Sequence, residues 1–194
     1  MTQPSTSPPG GRTTGVRVGA VVAVALAAAF VIWIVVQSRD DTSSTASPVS
    51  TTPSSRTGPV GVSADGLATL AKTIEEPIYW AGLQQTSLYE LTRLPDGKVY
   101  VRYLPSGVDA GDKRLLLTVA TYPLKDAYGT TQKAAQQAGA TPVSAGDGAV
   151  AFQGKGSSSV YLAFAGVDAQ IEVFSPTTGE AGQLVESGQI VRAG

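Results

Sequence analysis

Between Val18 and Val36 the chain runs nineteen residues without a charge. At about 1.5 Å of helical rise per residue the run reaches roughly 29 Å, close to the hydrocarbon thickness of a bilayer. Two readings compete: a membrane helix, or the apolar core of a cleaved signal peptide with Arg12 and Arg17 as its charged start. A signal peptide needs only about 7–15 apolar residues and ends in a small-x-small cleavage site. Here the Ala-rich stretch Ala23 to Ala29 is followed by Phe30, Val31, Ile32, Trp33, Ile34, Val35 and Val36, and the exit is Gln37-Ser38-Arg39. The expected reading is an uncleaved helix over 18–36 whose partner is the lipid bilayer, with Trp33 near one interface. Arg12, Arg17 and the amino terminus precede the span and Arg39 follows it, so the positive-inside bias puts a short tail, 1–17, in the cytoplasm. Residues 38 to 194 are then expected outside the cell membrane, as a single-pass protein.

The stretch after the span cannot fold alone. Thr42 to Gly61 holds eleven Ser/Thr and three Pro, with Arg56 its only charge, too little apolar surface to offset the entropy of ordering it. Residues 37–62 are therefore expected to be a disordered linker. As a flexible chain it would hold the following domain roughly 25 Å from the lipid. No N-linked glycan can decorate it, because the chain has no asparagine.

Residues 63–194 are long enough for one globular domain of about 100–150 residues. They carry ten Lys/Arg against thirteen Asp/Glu, so no basic field exists to hold nucleic acid. Leu67, Leu70, Ala71 and Ile74 recur at helical spacing after Ser63 and before Pro77, which predicts a helix over 64–75. The period then changes to two. Leu88–Leu94 and Lys98–Leu104 flank Pro95-Asp96-Gly97, a three-residue hairpin turn pairing 94 with 98. That register puts Tyr89, Leu91, Val99, Val101 and Tyr103 on a core face, with Glu90 opposite Arg102 and Thr92 opposite Tyr100 on a wetter one.

Further elements are expected at 114–122 (strand), 126–138 (helix closed by Gly139), 141–145, 149–153, 159–165 and 169–174 (strands). A helix opened by Ser175-Pro176 and a last strand at 189–192 follow. Ser87-Leu88-Tyr89 with Asp96 and Val99-x-Val101 recurs 72 positions later as Ser159-Val160-Tyr161 with Asp168 and Ile171-x-Val173. The pattern reads either as a tandem helix–strand–hairpin repeat or as chance likeness between two amphipathic hairpins. The expected fold class is α+β: an antiparallel sheet with about three helices packed on one side.

The composition removes much chemistry. With no histidine and no cysteine, thiol nucleophiles, disulfides, Ser-His-Asp triads and Cys/His zinc sites are excluded. Acid–base work would fall to Glu75, Glu76, Glu90, Asp109, Asp112 or Glu172, none at diagnostic spacing. The loop Gly107 to Gly111 with Asp109 and Asp112 lacks the alternating oxygen ligands of a calcium loop. Gly154-Lys155-Gly156-Ser157-Ser158-Ser159 departs from a phosphate loop: Ala149 stands where the first glycine belongs, and Gly156 follows the lysine. A hairpin loop is the expected reading. No catalytic residue, metal or cofactor is assigned. The candidate binding residues are Tyr79, Trp80, Tyr100 and Arg102, as an aromatic surface with one cation; adjacent strand residues face opposite ways, so Tyr79 and Trp80 cannot share a patch.

The runs Pro77-Ile78-Tyr79-Trp80-Ala81-Gly82, Tyr89-Glu90-Leu91-Thr92-Arg93, Val99-Tyr100-Val101-Arg102-Tyr103-Leu104-Pro105 and Leu117-Thr118-Val119-Ala120-Thr121-Tyr122-Pro123 resemble those of a group of uncharacterised bacterial membrane proteins of the high-GC, actinobacterial type. Those proteins have one N-terminal span and one exported domain. The resemblance covers residues 63 to 194, implies that layout, and brings no activity or catalytic residue with it. The expected function is a membrane-tethered, non-catalytic extracytoplasmic domain that binds a partner in the cell envelope, protein or glycan. The alternatives are an accessory subunit of a membrane complex, with Gly19 and Ala23 at helix-pairing spacing, and an envelope hydrolase using carboxylates or Ser157–Ser159 with Lys155.

Overall fold

The computed structural model describes residues 58–85, 88–146 and 148–194. The tail, the expected span at 18–36 and most of the linker lie outside these residues. Among the described residues no helix is long and apolar enough to cross a membrane.

In chain order the elements are β1 (Val60–Val62), α1 (Ala64–Thr73), β2 (Tyr79–Trp80), β3 (Leu88–Arg93), β4 (Val99–Leu104), β5 (Thr118–Pro123), α2 (Ala127–Ala135), β6 (Ala140–Val143), β7 (Ala149–Gly154), β8 (Ser159–Phe164), β9 (Ala169–Phe174), α3 (Glu180–Glu186) and β10 (Val191–Arg192). Eight strands make one sheet in the order β1-β3-β4-β5-β9-β8-β7-β6, and β10 pairs with β2 in a second, two-stranded sheet. Every pairing is antiparallel. The fold class is α+β, as the change of period along the chain implies.

The first hairpin follows its turn chemistry. Leu94 N–H donates to the Lys98 carbonyl at 2.9 Å and Gly97 N–H to that of Leu94 at 3.0 Å. Gly97, at φ +80°, takes the left-handed position that a side chain would strain. Tyr89 therefore pairs with Tyr103, Glu90 with Arg102 and Thr92 with Tyr100, the expected register. Helix α1 begins where Ser63 Oγ accepts the Gly66 N–H at 3.1 Å, a side-chain N-cap, and it buries Leu67 completely.

Alternation assigns the two faces. Tyr89, Leu91, Val99, Val101, Val119, Val160, Leu162, Ile171 and Val173 line the core face, joined by Leu67 of α1, Ala181, Leu184 and Val185 of α3, and Ile78 and Ile190 beside the small sheet. Helix α2 lies on the other side. Its fully buried Thr131 accepts from Gln170 Nε2 at 2.8 Å, and Gln170 points away from its neighbour Ile171. The expectation of helices on one side is thus corrected: α1 and α3 cover the core face and α2 the outer face. Ala127 and Ala163, both completely buried, leave α2 room to approach, while the core face is already filled.

Three boundaries also differ. Val60–Val62, expected in the linker, is the edge strand β1, in which Val60 faces Leu91 and Gly61 faces Glu90. Strand β5 starts at Thr118 instead of Arg114, because Arg114 is drawn off the ladder: its N–H and Nε bond Asp112 Oδ1 at 2.8 and 3.0 Å, and its carbonyl accepts from Arg102. Ser175-Pro176 does not open α3. Ser175 Oγ accepts the Thr177 N–H at 2.9 Å, as a capping serine would, but the left-handed Gly179, at φ +81°, breaks the run and α3 starts only after it.

The 72-residue spacing does not carry through to the two hairpins. Tyr89 pairs with Tyr103, but Tyr161 pairs with Glu172, the counterpart of Tyr100. With its left-handed glycine at Gly166, earlier than the counterpart of Gly97, the second turn has its apex displaced. Tyr89 consequently faces the core and Tyr161 the outer face.

Candidate functional site: a carboxylate between tyrosines on the outer sheet face

The outer face has two covers. Helix α2 lies over the end holding Gln170 and Ala163, and the loop before β5 lies over Glu90 and Arg102, where Gly111 N–H donates to Glu90 Oε2 at 2.6 Å and Arg102 Nη2 to the Arg114 carbonyl at 2.7 Å. Between them runs a row set by strand register: Thr92, Tyr100, Ala120, Glu172, Tyr161 and Phe152. Thr92, Glu172, Tyr161 and Phe152 are partly exposed, while Tyr100 is 9% exposed.

Glu172 sits at the centre because β9 does. Strands β5 and β8 flank it, and each sends a phenol to its carboxylate: Tyr122 Oη donates to Oε2 at 2.6 Å and Tyr161 Oη to Oε1 at 3.2 Å. Ser159 Oγ donates to Oε1 at 2.6 Å. All three donors are neutral. Further out, Tyr100 meets Tyr122 edge to face at 6.1 Å, and Phe152 stacks on Tyr161 at 5.5 Å. Both contacts are geometries that aromatic quadrupoles favour.

This setting keeps the phenols protonated. Burial, and then the charges of Asp96 and Glu172, push Tyr100 up to about 12. Burial followed by the Glu172 charge raises Tyr122 and Tyr161, since an anion beside a carboxylate is disfavoured. The tyrosines therefore act as hydrogen-bond donors and ring surfaces, not as bases at neutral pH.

The four residues singled out in the sequence do not meet at one place. Tyr79 belongs to the core, 6% exposed and stacked on Phe164 at 5.4 Å, and burial raises its pKa against the lowering effect of Arg192. Trp80 packs its edge on Tyr89 at 5.6 Å beside that same core. Tyr100 and Arg102 are on the outer face. Arg102 is committed to Glu90, with Nη1 at 2.9 and 3.0 Å from the two carboxylate oxygens. Of the four, only Tyr100 adjoins the Glu172 row.

The Ser/Lys arrangement is not assembled: Ser157 Oγ bonds the Ser159 backbone, Ser159 Oγ bonds Glu172, and among the described residues no hydrogen bond joins the exposed Lys155 amine to the serines. No group of three acidic residues suited to a metal ion occurs among the described residues. The sequence offered Glu172 only as one of six carboxylates without diagnostic spacing. Its partners Tyr122, Ser159 and Tyr161 escaped notice because nothing local shows that β9 is inserted between β5 and β8. No family model matches this chain, and neither a curated protein nor a solved structure is found that matches it.

Proposed function

We infer that this chain is a membrane-tethered binding domain, held outside the cell membrane by a helix over 18–36, which engages an envelope protein or glycan through the outer sheet face around Glu172. The observation that carries the reading is Glu172 itself, a partly exposed carboxylate that accepts phenol hydroxyls from both neighbouring strands of that face. A hydrolase reading has less support. A carboxylate pair works at separations of about 5–9.5 Å, whereas Glu90 lies three strands from Glu172, about 14 Å at ordinary strand spacing, and is ion-paired with Arg102.

The test uses the full chain in its own membrane. A photo-crosslinking residue replaces Phe152 beside Glu172, and in a parallel variant replaces Leu83, exposed in the loop after β2. The expected result is a discrete crosslinked envelope component from position 152 and none of the same mobility from 83. Identical patterns, or no adduct at 152, would defeat the reading. Protease added to intact cells should cleave residues 42–57 if the domain is external and leave them whole if it is not.

A further inference from the structure

Resting on that reading, we propose that the Glu172 site recognises an organic ammonium group, the protonated amine or quaternary ammonium of a small molecule or of a partner's side chain. The argument is charge complementarity. Four other carboxylates of this domain are ion-paired: Glu90 to Arg102 at 2.9 Å, Glu76 to Arg93 at 2.5 Å, Asp96 to Lys98 at 2.7 Å and Asp112 to Arg114 at 2.9 Å. Glu172 forms no ion pair among the described residues, and its three partners are hydroxyls. A carboxylate offers about four acceptor positions, so three donors leave room for one more, and the donor missing electrically is a cation.

The rings select the kind of cation. Tyr122 reaches the carboxylate from β5 and Tyr161 from β8, with Tyr100 and Phe152 behind them. Aromatic faces attract ammonium groups when water is partly excluded. They contribute little to a hydrated metal ion, which requires several oxygen ligands. Raised tyrosine pKa values keep a second negative charge out of the site. One carboxylate with ring walls therefore matches a single, soft, monovalent organic cation better than it matches a neutral sugar.

The full chain, held in non-ionic maltoside micelles with isotope-labelled tyrosine rings, is titrated with tetramethylammonium and butylammonium chloride against sodium chloride at equal ionic strength. A second arm uses a lysine-containing peptide and its acetylated form. The expected result is a saturable shift of the Tyr122 and Tyr161 signals with an ammonium probe, weakened about tenfold or more in Glu172→Gln and unchanged in Glu186→Gln, an exposed control. A response to the free amines places the source among small molecules; a response only to the unacetylated peptide places it on a partner's side chain. If Glu172→Gln does not fold, Tyr161→Leu provides the same reading through the lost ring. No saturable shift in either arm, or equal binding by Glu172→Gln, overturns the proposal. A site-specific crosslink from position 152 would then preserve the binding-domain reading, and failure of both experiments would remove both.

Discussion

Glu90 and Arg102 face each other across β3 and β4, and one guanidinium nitrogen, Nη1, lies within 3.0 Å of both carboxylate oxygens. Their side chains are 4% and 15% exposed. Glu90 also anchors the loop before β5 through the Gly111 N–H, and Arg102 anchors it through the Arg114 carbonyl. Truncating one partner strands the other charge in a dry place, at a cost of about 3–5 kcal/mol. Arg102→Ala should therefore lower stability by about 3 kcal/mol, and Arg102→Met combined with Glu90→Met should recover much of that loss. Denaturant midpoints of the full-length variants decide it; equal loss in the single and double variants would contradict the argument.

A second prediction concerns alkaline pH. Tyr100 ionises near 10.0 when unfolded and is pushed up to about 12 by burial and nearby acids, and Tyr122 and Tyr161 shift the same way. The folded chain holds these protons more tightly, so their contribution is fully present below about pH 10 and is lost as pH rises toward the folded values. Stability should be flat from neutral to about pH 9 and then fall, with part of the tyrosinate absorbance appearing only on unfolding. In Glu172→Gln, Tyr122 and Tyr161 should titrate earlier than in the parent.

Tyr89 carries a buried hydroxyl with no hydrogen-bond partner among the described residues while its ring touches Trp80 and Tyr103. A buried unpaired hydroxyl costs about 1–3 kcal/mol. Tyr89→Phe keeps the ring contacts and should be neutral or stabilising by about 1 kcal/mol, whereas Tyr103→Phe should destabilise, because the Tyr103 hydroxyl accepts the Ala81 N–H at 2.5 Å. Thermal melts of the two variants moving in the same direction would refute this contrast.

Helix α1 docks mainly through Leu67, which is completely buried. Leu67→Ala leaves a cavity and should cost about 2–5 kcal/mol. Thr69→Ala, on the polar side of the same helix, where the hydroxyl bonds only the Asp65 carbonyl at 2.8 Å, should change stability by less than about 0.5 kcal/mol. Alanine is the better helix former at both positions, so a loss seen in Leu67→Ala alone reports packing, and the denaturant midpoints of the two variants decide it.

What was legible in the chain is what depends on neighbours in sequence. Period 3.6 after Ser63 marked α1, and Pro95-Asp96-Gly97 set the pairing of Thr92 with Tyr100 and Glu90 with Arg102, because turn geometry transmits register directly to the strands it joins. The helix expected at Ser175-Pro176 starts later for an equally local reason: Gly179, in the left-handed region at φ +81°, interrupts the backbone before Glu180. The repeat faltered because the displaced turn shifts the register by an odd number of residues: the return strands keep Val99, Val101, Ile171 and Val173 in the core, while the first strands differ, Tyr89 facing in and Tyr161 out.

By itself the sequence determined the order of helices and strands from α1 onward, β2 excepted, the register of the β3–β4 hairpin, and the exclusion of thiol, imidazole and Cys/His metal chemistry. It also carries the nineteen-residue uncharged run on which the anchor expectation rests. Only the tertiary structure decided that α2 takes the face opposite α1 and α3, that Tyr79 is core, and that Tyr122, Ser159 and Tyr161 converge on Glu172. The reason is physical: side-chain alternation says which way a residue points from its own strand, whereas strand neighbours are chosen by global packing. The bond from Tyr122 to Glu172 spans fifty positions of chain, and it exists because β9 fits beside β5 once both have turned their apolar sides to the same core.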